Sequence, residues 1–348
     1  MSDDIHFETR GQLGLITLDK QSTLNAVTEP MLRAINAHLD GWERDDAVTR
    51  VLIRAVPGKA FSAGGDIRHL YDTGTAGKPD FTFFAFEYAL NARIARFPKP
   101  YIALVDSIAM GGGVGVSFHG SHRIAGENLS FAMPEVGIGF FPDVGASHIL
   151  NQLPGQTGLY LALTGARMDQ ADALWSGLAT SSVKNGQVHD LLSALEETDD
   201  LDSVLLQFHE TSSAAETGPV EGAFERINAW FEADHLAEIV KRVEQAAETD
   251  AFAAKTLKQL RAKSPTSLHI AFEQMKRGRG LSVAECLNME YRILRRILVE
   301  DEFYEGIRAT IIDKDHAPRW SPGTLEAVEA TSINRYFAPL GENELNLA

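Results

Sequence analysis

Apolar and polar positions near the amino terminus follow the two-residue period of β-strands. Ile5–Arg10 and residues 12–18 alternate or run apolar on either side of Gly11, which predicts a two-stranded hairpin. Apolar positions at helical spacing then predict a helix that begins at Thr28 or Glu29.

Two further apolar runs continue this pattern, at residues 50–56 and at Tyr101–Val105. The second run is uninterrupted, which is typical of a strand buried in a parallel sheet. A helix is predicted between the two runs, over residues 80–97. Strands that alternate with helices predict an open α/β sheet with helical crossovers.

From Gln156 onward, strand signals become scarce and amphipathic helical windows dominate. Residues 178–180 are the remaining strand candidate. The small and polar residues 212–219 predict a loop, and residues 334–348 predict an exposed tail. The predicted helical windows are residues 158–164, 169–175, 188–197, 201–209, 220–231, 236–247, 252–263, 267–276 and 283–298.

Glycines occupy two turns of the first half of the chain. Those at positions 111–113 stand between the strand at Tyr101–Val105 and a window of helical character at residues 114–119. Glycines in such a place let the backbone approach a ligand and direct bare N–H groups at it. Residues 60–66 form the second turn. By themselves, both turns also fit a purely structural role, because glycine turns are common.

Two carboxylates follow prolines in an otherwise apolar segment. Glu135 comes after Pro134, and Asp143 comes after Pro142. An acid seldom occupies such surroundings without a task, because burial penalises its charged form. Structural roles are open for both acids: Glu135 as a turn residue, and Asp143 as the cap of a following helix.

Composition narrows the class of protein. The chain has 348 residues, of which 44% are hydrophobic, and a formal net charge of −16, which argues against nucleic acid and anionic membranes as partners. The single cysteine, Cys286, fits a reducing compartment. The acidic start of the sequence lacks the pattern of a secretory signal, so the expectation is a cytoplasmic protein.

At this point the motifs resemble a known family, the crotonase (enoyl-CoA hydratase/isomerase) superfamily, and within it the 3-hydroxyisobutyryl-CoA hydrolase family. The resemblance covers almost the whole chain, and its motifs stand in the family's order and spacing. They are the segments FSAGGDI at 61–67, MGGGVG at 110–115, MPE at 133–135, FPDVG at 141–145, SPTSL at 264–268, EGIRA at 305–309, DKD at 313–315 and PRW at 318–320.

The resemblance implies a fold built from a spiral of ββα units, with a long and mostly helical C-terminal part. It implies a CoA-binding core with the active site in residues 1–155, and a helical region in residues 156–348 that packs on that core. Many crotonases are trimers, so a homo-oligomer is possible, but the long helical half leaves the oligomeric state open.

The same resemblance assigns catalytic roles. Backbone N–H groups of Gly65 and Gly112 would form an oxyanion hole for the thioester oxygen. Hydratases of the superfamily use a second glutamate where this chain has Gly115, so the hydratase pair of acids is broken. Glu135 would attack the thioester carbonyl or activate water, and Asp143 would bind the 3-hydroxyl of the substrate.

Substrate-binding positions are implied in the same way. The backbone from Ala63 through Gly64, Gly65, Asp66 and Ile67 would hold the adenine end of CoA. A turn at residues 20–26 would approach the pantetheine and the phosphates.

Glu87 would contact the substrate, although a solvent-exposed helix face is an equal alternative for it. The cations near this region are Lys20, Lys59 and Arg68. The run from Gly145 to His148 departs from the glycine-rich and aromatic family pattern, which affects the expected shape of the acyl pocket.

The expected activity is hydrolysis of a short 3-hydroxyacyl-CoA, 3-hydroxyisobutyryl-CoA in valine degradation. The alternatives are hydratase or isomerase chemistry through Glu135 alone, and a non-catalytic acyl-CoA-binding protein. No cofactor is expected, since CoA is part of the substrate. No metal is expected either, because His119, His122 and His148 lack ligand spacing.

Overall fold

The computed structural model describes residues 4–209 and 217–348, so most of the loop predicted at residues 212–219 lies outside the described residues. Strands form where the apolar runs predict them, beginning with an antiparallel hairpin. The strands are β1 Ile5–Arg10, β2 Leu13–Leu18, β3 Arg50–Ala55, β4 Ala60–Ser62, β5 Tyr101–Val105, β6 Ile108–Met110, β7 His122–Ala125, β8 Ser130–Ala132 and β9 Ser181–Ser182.

The strands form two sheets. The larger has six strands in the order β1-β2-β3-β5-β7-β9, and the smaller has three in the order β4-β6-β8. After the first hairpin, every pairing in both sheets is parallel. The predicted α/β class with helical crossovers is therefore confirmed.

Consecutive strands divide between the two sheets in a repeating way. β3, β5 and β7 lie in the large sheet, and each is followed within a few residues by β4, β6 or β8 in the small sheet. Each strand of the small sheet leads into a loop or helix that carries predicted site residues. This repeat is the ββα unit that the resemblance implies.

Helices lie between several of the strands and are the main regular structure described after β9. The helical windows predicted after Gln156 are confirmed, with small shifts at their ends. The helices are α1 Glu29–Arg44, α2 Ile67–Thr75, α3 Phe81–Ala95, α4 Gly112–Gly115, α5 Ala146–Asn151, α6 Thr157–Thr164, α7 Gln170–Trp175, α8 Val188–Glu197, α9 Leu201–Phe208, α10 Phe224–Phe231, α11 Leu236–Ala246, α12 Ala251–Arg261, α13 Pro265–Gly278, α14 Val283–Ile297, α15 Asp301–Ile307 and α16 Ala330–Asn334.

The chain groups into two compact units. The first consists of Met1–Gly65, Phe86–Ala132 and Arg167–Gly222, and the second of Asp66–Ala85, Met133–Ala166 and Ala223–Ala348. Every strand named above belongs to the first unit, whereas the second unit is built from helices and turns. The predicted division of the chain after residue 155 stays a prediction.

In the first unit, helices α8 and α9 cover the large sheet. Leu52, Ile102 and Ile124 on adjacent strands are at most 1% exposed and pack in one cluster with Leu195 and Phe208 of the two helices. Burying such side chains stabilises the unit by about 2 kcal/mol each. The apolar pattern that predicted the strands is thus the pattern of this core.

Two short elements differ from their predictions. The helical window at residues 114–119 forms only the four-residue helix α4, which begins earlier, at Gly112. The strand expected at residues 178–180 forms later, as β9, where it pairs in parallel with β7. Both segments are too short for their own periodicity to fix their ends.

The segment at residues 334–348, predicted to be an exposed tail, is only partly exposed. Tyr336 is 1% exposed and Phe337 is 7% exposed. Glu344 accepts from Arg292 at 2.8 Å, and the Leu347 N–H donates to Asn288 at 2.9 Å. The buried positions of this segment have their partners on α14, which a local pattern does not reveal.

Across the described parts of the chain, no helix combines the length and the apolar character needed to cross a bilayer.

Gly14 and Gly41 give a matched test of packing in the first unit. A Cβ on Gly14 would lie 2.6 Å from Trp42 Cδ2, whereas a Cβ on Gly41 in α1 would meet nothing within 4 Å. We expect Gly14→Ala to lower the free energy of unfolding by about 1–3 kcal/mol through overpacking. Gly41→Ala should raise it by about 0.5–1 kcal/mol, because alanine favours the helix. Urea unfolding measures both, and equal effects would contradict this packing.

Candidate active site

In the first unit, backbone hydrogen bonds join the predicted CoA turn to the loop after β4. The Ala63 N–H donates to the Leu24 carbonyl at 3.0 Å, and the Val27 N–H donates to the Gly64 carbonyl at 2.8 Å. The fully buried Asn25 side chain accepts from the Lys20 N–H and donates to the Ala60 carbonyl. The segments predicted to hold the two ends of CoA are therefore fixed to each other.

The two predicted oxyanion donors come together in this unit, beside Glu87. A Cβ on Gly112 would lie 3.5 Å from the Gly65 nitrogen and 2.6 Å from Glu87 Oε1, so only glycine fits there. Gly112 is the first residue of α4, and a helix leaves its first N–H groups without intrahelical acceptors. The arrangement supplies close N–H donors that suit a developing negative charge.

Glu87 itself lies on α3 and is 2% exposed. The alternative of a solvent-exposed helix face is therefore wrong, and a buried carboxylate stands next to Gly112.

The remaining predicted CoA positions are found at the start of α2 and on the surface. Asp66 caps α2, since its side chain accepts from the His69 N–H at 3.1 Å, and Ile67 is the first residue of that helix. Lys59 and Arg68 are exposed. The Lys20 ammonium lies 3.4 Å from the Asp4 carboxylate.

In the second unit, Glu135 opens a 3-10 turn that continues to Ile138. Its side chain is 8% exposed, and Oε2 has no hydrogen-bond partner among the residues that the structure describes. Burial and the nearby negative charge of Asp143 raise the pKa of Glu135 well above its ordinary value. A desolvated carboxylate with an open oxygen is suited to attack a carbonyl carbon or to take a proton.

Lys263 supplies the positive charge near this turn. Its Nζ would lie 3.4 Å from a Cβ on Gly137 and 3.4 Å from a Cβ on Gly165. Burial lowers the pKa of Lys263, while the carboxylate of Glu135 opposes that effect. In return, the Lys263 charge lowers the pKa of Glu135, although burial dominates there.

Asp143 lies on a tight turn before α5 and is 4% exposed. Val144 and Gly145, which follow it, have φ angles of 53° and 83°. The N-cap residue of α5 is Gly145, so the prediction that Asp143 caps this helix is wrong. The positive φ values turn the chain before the helix begins, and Asp143 stays outside it.

Glu290 of α14 holds that turn from within the same unit. Its carboxylate accepts from the Gly145 N–H at 2.7 Å, the Ser147 N–H at 3.0 Å and the Ser147 hydroxyl at 2.6 Å. Glu290 is fully buried, and this burial raises its pKa to about 8 despite these bonds. The run at residues 145–148, which departs from the family pattern, thus contains the donors to Glu290.

Sequence reasoning missed Lys263, Gln274 and Glu290. Lys263 directly precedes a motif that carried the resemblance, so its position was available as a signal. Glu290 lies among the apolar positions of α14. An acid in apolar surroundings is the signal that singled out Glu135, and it was available for Glu290 as well.

The predicted structural roles of the histidines agree with their contacts in two cases. His148 Nδ1 lies 3.0 Å from the Leu281 carbonyl, and His122 Nδ1 lies 2.9 Å from the Ser121 hydroxyl. Within the described residues, no group of three or more His, Cys, Asp or Glu side chains is arranged to hold a metal ion.

Comparison with known proteins adds independent information. Residues 13–337 match the family model described as enoyl-CoA hydratase/isomerase. A protein of Xenopus tropicalis named "3-hydroxyisobutyryl-CoA hydrolase, mitochondrial" is 43% identical over 345 residues, which cover 97% of this chain and 89% of that protein. The human protein of the same name is 38% identical over 352 residues, covering 99% of this chain and 91% of that one.

Solved structures agree on the fold and carry other activity names. A carnitinyl-CoA dehydratase from Mycobacterium thermoresistibile superposes with a TM-score of 0.92 at 34% identity, covering 99% of this chain and 98% of the other. An enoyl-CoA hydratase from Rhodobacter sphaeroides gives a TM-score of 0.90 at 40% identity, covering 99% and 100%. The chain therefore belongs to the enoyl-CoA hydratase/isomerase (crotonase) family, in its branch of 3-hydroxyisobutyryl-CoA hydrolases.

Proposed function

We propose that this protein hydrolyses the thioester of a short 3-hydroxyacyl-CoA, first of all 3-hydroxyisobutyryl-CoA, to the free hydroxy acid and CoA. The observation that carries the proposal is the buried Glu135, whose Oε2 lacks a hydrogen-bond partner among the described residues, with the carboxylate of Asp143 nearby. Relatives about 40% identical over nearly the whole chain bear the name of this activity.

The first step is attack on the thioester carbonyl carbon. Either Glu135 attacks and forms an acyl-enzyme anhydride, or it removes a proton from an attacking water. In both routes the carbonyl oxygen becomes negative, and the N–H groups of Gly65 and Gly112 stabilise it. One such donor is typically worth about 3–4 kcal/mol of barrier. The thiolate of CoA then leaves. In the first route it takes a proton from solvent, and water hydrolyses the anhydride to the free hydroxy acid and restores Glu135. In the second route the hydroxy acid forms directly, and the proton taken up by Glu135 passes to the thiolate.

Asp143 gives this reaction its substrate preference. Its carboxylate accepts a hydrogen bond from the 3-hydroxyl of the acyl group and assists proton transfer. A substrate without that hydroxyl leaves a buried charge without its ligand, so it is disfavoured. The backbone of residues 63–67 and the buried Glu87 complete the contacts to CoA and substrate in this proposal.

Hydratase chemistry is the second candidate, favoured by the names of the two superposed structures. The position of the second hydratase glutamate is Gly115 here, the last residue of α4. Glycine has no group that transfers a proton, so addition of water to a double bond lacks one of its two acids. A small panel of acyl-CoA thioesters, followed with a thiol reagent and for loss of the double bond, separates the two reactions.

The proposal also covers the cofactor, the compartment and the partners of the protein. In this proposal Glu135 supplies the nucleophile or base and the N–H groups of Gly65 and Gly112 stabilise the oxyanion, so no separate cofactor or metal is called for. A reducing compartment such as the cytoplasm suits the buried thiol of Cys286, although the relatives are named mitochondrial. The partner is the acyl-CoA itself, and self-association into a homo-oligomer is to be measured by sedimentation.

Replacement of Glu135 tests the central step. We expect Glu135→Ala to remove nearly all thiol release, because no other carboxylate takes its place, while CoA binding is retained. Glu302→Gln is a matched control in the same unit, since burial raises the pKa of Glu302 as well. Near-normal hydrolysis by Glu135→Ala would refute both routes.

Trapping with hydroxylamine distinguishes the two routes. Direct attack predicts a hydroxamate on Glu135 during turnover, because an anhydride at that carboxyl is open to nucleophiles. A single turnover in ¹⁸O-labelled water adds a second readout, in which label in the Glu135 peptide also indicates an anhydride. Hydroxamate or label in the Glu135 peptide therefore establishes direct attack. A clean peptide is the result expected from water attack, or from an anhydride opened only at its acyl carbonyl.

Replacement of Asp143 tests the preference for hydroxylated substrates. We expect Asp143→Asn to lower kcat/KM for 3-hydroxyisobutyryl-CoA by about a hundredfold or more, and to affect isobutyryl-CoA much less. The ratio of the two kcat/KM values is the measurement. Equal losses on both substrates would remove the role of Asp143 in binding the hydroxyl.

The pH profile tests the charge balance at Glu135. Its raised pKa means that the ionised, active form appears only well above the ordinary glutamate range, so activity should rise with pH through that pKa. Because Lys263 lowers this pKa, Lys263→Met should move the rise to higher pH. Lys258→Met, a change on the nearby helix α12, should leave the profile in place. An unshifted profile in Lys263→Met would contradict the pairing.

A further inference from the structure

Glu290 is a fully buried carboxylate to which the proposed mechanism gives no task. It comes from α14, far along the sequence from the turn that carries Asp143, and it accepts three hydrogen bonds from Gly145 and Ser147. Burial of a charge costs several kcal/mol unless close donors compensate it. The arrangement therefore needs an explanation beyond packing.

A second polar side chain holds the other side of Asp143. Gln274 Nε2 donates to the Pro142 carbonyl at 2.5 Å and to the Ser147 hydroxyl oxygen at 2.8 Å. The Ser147 hydroxyl in turn donates to Glu290. Gln274 and Glu290 thus fix the residues immediately before and after the pair Asp143–Val144.

The backbone between these two fixed points is strained. Val144 has a φ of 53°, a conformation that is rare for a β-branched residue and costs about 1–3 kcal/mol. A turn of this kind persists only when its surroundings hold it. Glu290 accepts three hydrogen bonds from this turn, so loss of one of its acceptor oxygens would let the turn relax and move Asp143.

We propose that Glu290, together with Gln274, is the positioning residue that aims Asp143 at the 3-hydroxyl and thereby sets the preference for hydroxylated acyl groups. This inference rests on the proposed function, which places the hydroxyl at Asp143. Glu290 does not touch the substrate and acts through the turn at residues 142–147.

Asp172 provides a control of the same chemistry. It is a fully buried carboxylate of the first unit that accepts from the N–H groups of Val220 and Glu221. It lies on α7, which carries none of the proposed catalytic groups. Asp172→Asn therefore reports what the loss of a buried carboxylate does to stability alone.

The test compares wild type, Glu290→Gln, Ser147→Ala and Asp172→Asn on 3-hydroxyisobutyryl-CoA and isobutyryl-CoA. We expect Glu290→Gln to reduce the ratio of the two kcat/KM values by about tenfold to a hundredfold, since small displacements of a positioned group carry such costs. Ser147→Ala keeps the Glu290 carboxyl group and its bonds from the Gly145 and Ser147 N–H groups, so it should give a smaller reduction in the same direction. Asp172→Asn should lower Tm and leave the ratio unchanged.

A structural role would give a different result. If Glu290→Gln has a lower Tm but the ratio of the two kcat/KM values is unchanged, the proposal is overturned. If Glu290→Gln does not fold, Ser147→Ala decides in the same way, because an unchanged ratio in that variant also overturns it.

Binding separates this inference from the proposed function. Thioether analogues of the two acyl-CoAs, which cannot be hydrolysed, report the hydroxyl preference by calorimetry without turnover. Absence of thiol release by wild type refutes the hydrolase, yet a hydroxyl preference in binding that Glu290→Gln loses still supports the positioning role. Absence of any hydroxyl preference in wild type, in turnover and in binding, overturns it.

Discussion

The parallel pairing of β4, β6 and β8 is the constraint on which the rest of the structure depends. The register places Met110 beside Ala132, so the chain leaves neighbouring strands at the same edge of the small sheet. Ligand sites of α/β proteins commonly form where parallel strands end, because loops and helix starts gather there. The glycine turn at residues 111–113, which follows β6, begins at this edge.

The chemistry depends on burial of charge. Glu135, Asp143 and Glu290 are all buried acids of the second unit, and the negative charge of Asp143 raises the pKa of both Glu135 and Glu290. Hydrogen bonds from Gly145 and Ser147 offset this at Glu290. At Glu135 the charge of Lys263 offsets only part of the effect of burial, so the pKa of Glu135 stays raised. Raised pKa values are common among carboxyl groups in active sites.

Family membership and activity are decided by different residues. The fold and the paired glycines are compatible with hydratases, dehydratases and hydrolases, all of which appear among the related proteins. A fold carries many reactions, and the acids placed on it select one. Here Gly115 removes one acid of the hydratase pair, whereas Glu135 remains and Asp143 is added.

The sequence by itself determined the elements and singled out the candidate reactive groups, because their signals are local. The apolar run at Tyr101–Val105 had to become a buried strand, and acids such as Glu135 stood out in apolar surroundings. Only the tertiary structure decided which distant residues hold these elements and side chains in place. Glu290 reaches Gly145 across 145 positions of the chain, and Tyr336 is buried by a helix that precedes it. Such contacts depend on how elements pack, a property that no local period records.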